Sequence, residues 1–89
     1  MNDAQVRTED CRLDVLNALH ARRQGAHQAD TIRTVFLRNR DYTLEEVKTA
    51  LSDLERMHFV EKAYESEVSS VEVWQITGQG IVFKERGMK

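Results

Sequence analysis

The densest run of chemically capable side chains is cationic. Between His20 and Arg40 stand Arg22, Arg23, Arg33, Arg38 and Arg40, with His20 and His27 beside them and Asp30 as the only carboxylate. Guanidinium groups in such a run can neutralise phosphate, because counterion release depends on the contacts made and not on net charge. From Asp41 to Arg56 the sign reverses: Asp41, Glu45, Glu46, Asp53 and Glu55 outnumber Lys48 and Arg56. As general acids or bases these carboxylates would need a pocket and a raised pKa, which nothing in the pattern supplies. They suit helix caps and neighbouring ion pairs. Cys11, His20, His27 and His58 match no structural zinc spacing, so no metal is expected. Cys11, close to an expected helix start, is placed for mild reactivity but lacks the paired His of a nucleophile. Gly78-Gln79-Gly80 is too short for a phosphate loop. No catalytic constellation and no cofactor site emerges.

These side chains need elements to position them. Residues 1–7 read as a polar N-terminal arm. A first helix is expected to begin between Thr8 and Asp10, with Leu13, Val15, Leu16 and Leu19 as its apolar stripe and Gly25 as its stop. A shorter second helix, capped by Asp30 or starting slightly earlier, buries Ile32, Val35 and Phe36. A polar turn, Arg38-Asn39-Arg40-Asp41, follows. The third helix has the clearest start: Thr43-Leu44-Glu45-Glu46 is a capping box, with Tyr42 and Val47 placed as a hydrophobic staple. Its seam is Leu44, Val47, Leu51 and Leu54, and Glu45, Glu46, Thr49, Ser52, Asp53 and Arg56 fall on the opposite face. It ends near His58, at a position where Gly is usual. Two strands, Phe59 to Tyr64 and Val71 to Ile76, flank a hairpin loop carrying Glu65 and Glu67. Thr77 caps a last short helix reaching about Arg86. The domain is thus 8–86, with a tail at 87–89.

The chain of 89 residues, 40% of them apolar, can build one core but not two lobes around a cleft, which disfavours most enzyme classes. The longest apolar run is far short of a membrane span, and no basic-then-apolar signal follows Met1. A single cysteine agrees with a reducing compartment, so a cytoplasmic protein is expected.

Two motifs carry a family resemblance. Val47-x-x-x-Leu51-x-x-Leu54-Glu55-x-x-x-Phe59-Val60 resembles a third helix running into a first wing strand. Trp74-x-Ile76-Thr77-x-x-Gly80 resembles a second wing strand and the turn that closes it. With the order helix, helix, turn, helix, hairpin, the chain resembles the winged helix-turn-helix family over nearly its whole length. More loosely, it is similar to the small winged-helix proteins of Mu-like prophages. The resemblance implies a mainly α fold with a small antiparallel β-hairpin: a three-helix core, a wing and a short C-terminal helix.

It also implies a non-enzymatic DNA-binding protein acting in transcriptional regulation, with double-stranded DNA as partner. The third helix would enter the major groove. Thr43 and the start of the helix would offer backbone amides to a phosphate, Thr49 and Ser52 would bond base edges or phosphates, and Arg56 would pair with a guanine or a phosphate. Arg33, Arg38 and Arg40 would meet flanking phosphates. A homodimer on two half-sites would use the first helix, the arm or the last helix. The acidic third helix, the acidic wing tip and His58 in place of Gly support a different reading: a winged helix that binds a basic protein partner.

Overall fold

The computed structural model describes residues 3–64 and 71–86. The elements run α1 (Asp3–Ala21), α2 (Ala29–Thr31) continuing as a π-helical turn (Ile32–Phe36), α3 (Leu44–Arg56), β1 (Val60–Tyr64), β2 (Glu72–Ile76) and α4 (Gly78–Arg86). The hairpin loop with Glu65 and Glu67, and the 87–89 tail, lie outside the described residues. No helix among the described residues is long and apolar enough to cross a membrane.

α1 begins well before the expected start at Thr8–Asp10, so residues 3–7 are helix and not an arm. Its buried face is Cys11, Val15, Leu16, Ala18 and Leu19. Leu13 is 41% exposed instead of joining the stripe. At about 100° per residue, positions two apart lie on nearly opposite sides of a helix, and Val15 holds the buried one.

The second helix departs from expectation for a similar geometric reason. Ile32 is buried, but Val35 is 55% exposed and Leu37 takes its place in the core. The Leu37 amide reaches back five residues to the Ile32 carbonyl, 2.9 Å away. In this widened turn each residue advances by less than in an α-helix, which rotates Val35 off the core face and brings Leu37 onto it.

α3 forms as its start signal dictates. The Glu46 amide donates to Thr43 Oγ1 at 3.1 Å, and the Thr43 amide donates to Glu46 Oε1 at 2.8 Å. Tyr42 and Val47, the staple pair, are both buried. Val47, Ala50, Leu51 and Leu54 face the core, with Leu44 packed at its edge. The helix stops at His58, which adopts φ 66°, in the left-handed region.

β1 and β2 pair antiparallel with Val60 opposite Ile76 and Lys62 opposite Trp74. His27, between α1 and α2, adds a bridge on the other edge of β2: its amide and carbonyl exchange bonds with those of Trp74 at 2.8 and 2.7 Å. Trp74 is buried as a core anchor. Thr77 then ties the wing back to the end of α3. Its hydroxyl donates to the His58 carbonyl at 2.6 Å and accepts from the Gly80 amide at 3.0 Å, and its amide donates to the Phe59 carbonyl at 3.0 Å. Gly80 has to be a glycine here, since a Cβ would stand 2.2 Å from the Phe59 carbonyl oxygen. The Trp74-x-Ile76-Thr77-x-x-Gly80 motif therefore sets the angle between α3 and the wing.

Candidate nucleic-acid interface

The core seam of α3 determines where its other side chains point. With Val47, Ala50, Leu51 and Leu54 inward, Glu45, Thr49, Ser52 and Arg56 lie along the outward centreline, and all four are exposed. Glu46 and Asp53 lie along one flank and Lys48 and Glu55 along the other. This corrects the sequence-based outward set, which counted Glu46 and Asp53 as facing out.

Glu46 and Asp53, the two carboxylates of the first flank, are drawn toward α1. Arg7 lies against Glu46 with Nη2 3.0 Å from Oε1, while its Nε meets Oε2. The same guanidinium donates to the Asp41 carbonyl at 2.9 Å and the Asp41 carboxylate at 3.2 Å, and lies 5.2 Å from the Tyr42 ring centroid. This pairing, with the Thr43 amide, holds Glu46 down to about 2. One turn further along α1, Arg12 Nε stands 3.3 Å from Asp53 Oδ2. Asp53 also accepts from Arg56 Nη2, so two guanidinium groups share one carboxylate.

The turn before α3 is fastened to α1 as well. Asp14 Oδ2 accepts from the Tyr42 hydroxyl at 2.7 Å and lies 3.3 Å from Arg40 Nε. Burial raises the Tyr42 pKa, so its hydroxyl keeps its proton and remains a donor. The start of α3 is thereby pinned through Arg7 on one side and Asp14 on the other.

The predicted basic residues are distributed unequally by the fold. Arg38 is exposed and has no ion pair among the described residues. Arg40 is paired with Asp14, yet its side chain is 59% exposed. Arg33 pairs with Asp30 at 3.3 Å within its own helical turn. Arg22 packs its guanidinium 4.0 Å from the Phe36 ring centroid, and His27 meets the same ring edge-on. Thr43 is engaged in the capping box, and Thr49, Ser52 and Arg56 stand together on the outward face of α3.

Sequence reasoning passed over three residues that the fold brings to this surface. Arg7 and Arg12 act on partners 39 and 41 positions away, and no local spacing signals that. Lys48 falls on the flank toward the wing, where Ala29, Leu44, Glu72 and Trp74 line an open groove beside it. An amphipathic count of α3 alone could have found it. Cys11 is buried in the core, in the middle of α1 and not near its start. Loss of solvent is the main reason its thiol is pushed up to about 11, so the mild reactivity expected from its position is overturned.

The arrangement is a winged helix-turn-helix fold. No family model matches the sequence, and no curated protein matches it. Among solved structures, the chain is similar to the crystal structure of a mutant of MepR from a multidrug-resistant S. aureus clinical isolate. The TM-score is 0.71 at 18% identity, over 90% of this chain and 56% of that one. The chain thus spans a little over half the length of that protein, and the likeness is one of fold.

Proposed function

We propose that this chain binds double-stranded DNA through the outward face of α3 and acts in transcriptional regulation. One observation carries the reading: Arg7 and Arg12 neutralise Glu46 and Asp53 on the flank of α3 that faces α1. The helix that reads as acidic along the sequence therefore presents Thr49, Ser52 and Arg56 outward, with Glu45 as the carboxylate on the centreline and Lys48 beside Glu55 on the other flank. Like charges near phosphate are repelled, so removing two carboxylates from the approach favours a polyanion. Hydroxyls and a guanidinium on one helix face suit base edges and phosphate oxygens.

In this reading Arg38 and Arg40, at the turn, contact flanking phosphates, and Arg33 does so only by leaving Asp30. The likeness to the MepR fold supports a helix-turn-helix docked with its second helix in the major groove. The competing idea, an acidic helix that attracts a basic protein, has lost two of the carboxylates it relied on. A titration with mixed-sequence duplex at about 50 mM salt tests the proposal, since phosphate-driven binding is strongest there. Saturable binding that weakens as salt rises supports it, and no binding at that salt rejects it.

A further inference from the structure

We infer that Arg12 is a positioning residue for base recognition: acting through Asp53, it holds the Arg56 guanidinium where it can read a guanine. The inference rests on the DNA-binding reading above.

The three residues form a chain across two helices. Arg12, on α1, sits in the seam with its side chain 30% exposed and its Nε 3.3 Å from Asp53 Oδ2. Asp53 is only 14% exposed and uses its other oxygen, Oδ1, to accept from Arg56 Nη2. Arg56 is 77% exposed on the outward face. Each carboxylate oxygen thus has one arginine, one inside and one outside.

Charge and geometry both follow from this. A lone Arg–Asp pair is neutral, and Asp53 by itself would cancel the charge that Arg56 offers. With Arg12 as a second cation on the same carboxylate, the group keeps one net positive charge, which is left on its exposed member. Arg12 Nε makes no hydrogen bond to Asp53, but its charge stands behind the carboxylate and holds it by attraction, so that Asp53 can orient Arg56. A guanidinium has five donors in a rigid fork. With Nη2 giving one proton to Asp53, other donors on the fork stay free, and a pair of them matches O6 and N7 of guanine. An arginine held in place before binding loses less rotamer freedom on docking, which is the gain from preorganisation.

The test is selection from a randomised duplex pool, carried out with the wild-type chain and with Arg56→Ala, Arg12→Gln and Arg12→Lys. Circular dichroism checks that each variant is folded. The wild type is expected to enrich a guanine at one position, and Arg56→Ala to lose that preference by about tenfold. Arg12→Gln should lose the preference at the same position by a similar factor, over and above a uniform weakening on mixed-sequence duplex from uncovering the Asp53 charge. Arg12→Lys, which keeps the charge, should retain most of the preference. If Arg12→Gln does not fold, Asp53→Ala must give the same loss at the same position. An unchanged preference in Arg12→Gln overturns the inference, as does an equal weakening on every sequence. Wild-type binding without any base preference also overturns it while leaving the DNA reading standing. Absence of wild-type binding to any duplex removes both.

Discussion

Arg7 and Glu46 stand 39 residues apart in sequence and form a two-pronged ion pair in the fold. Glu46 is also half of the capping box that starts α3, so one carboxylate serves the start of the helix and its attachment to α1. The consequence is pH-dependent. Glu46 titrates at about 2 instead of the ordinary 4.5, so its contribution is complete above the ordinary value. As pH falls from there through about 2 the contribution is lost. Arg7→Ala removes the main cause of the depression. The urea midpoint of the variant should therefore fall less steeply over this acid range than that of the wild type. Superimposable pH profiles would show that the pair is fully screened by solvent.

The capping box is tested by Thr43→Ala, which removes the acceptor for the Glu46 amide. The expected loss is about 1 kcal/mol in equilibrium unfolding. Leu51→Ala, in the seam behind it, should cost about 2–5 kcal/mol, because the side chain is wholly buried. A loss below about 1 kcal/mol at Leu51 would mean that the seam is not the core of the domain.

Gly80 and Gly78 are two positions apart and should respond in opposite ways. A Cβ at Gly80 would meet the Phe59 carbonyl oxygen and Ile76, whereas one at Gly78 meets nothing within 4 Å. Gly80→Ala should destabilise by about 1–3 kcal/mol or more, since backbone must move. Gly78→Ala, in the first turn of α4, should be neutral or stabilise by up to about 1 kcal/mol. Thermal melts of the two variants suffice, and equal melting temperatures would contradict the wing–helix junction described here.

Cys11 should behave as an inert core residue. It is 2% exposed, its Sγ lies 3.6 Å from the Glu46 carbonyl oxygen, and its thiol is pushed up to about 11. A thiol-reactive dye at neutral pH should label the native chain at the rate of global opening, and label it at once in denaturant. Fast native labelling would place Cys11 outside the core.

The sequence carried the parts of this molecule that are set locally. Thr43 and Glu46 are three positions apart, so the start of α3 was readable from types and spacing alone. The same holds for Leu51 and Leu54 as core, and for Thr77 and Gly80 as the closing turn. The π-helical turn was not readable, because it is a choice between two hydrogen-bond patterns that Ile32, Val35 and Leu37 could equally follow. Leu13 was misplaced by counting hydrophobicity without its angle. The electrostatics of α3 were the largest gap. Glu46 and Asp53 are acidic in any count along the chain, and only the packing of α1 brings Arg7 and Arg12 against them.

The central claim is that the outward face of α3 meets DNA, and amide shift mapping tests it most directly. A labelled sample of the whole chain would be titrated with a short duplex at about 50 mM salt. The account predicts the largest perturbations at Arg38, Arg40, Thr43, Lys48, Thr49, Ser52 and Arg56, with little change at Leu13, Met57 and Phe83, which line a groove between α1, the end of α3 and α4. Perturbations centred on Leu13, Met57 and Phe83, or no perturbation at saturating duplex, would contradict it.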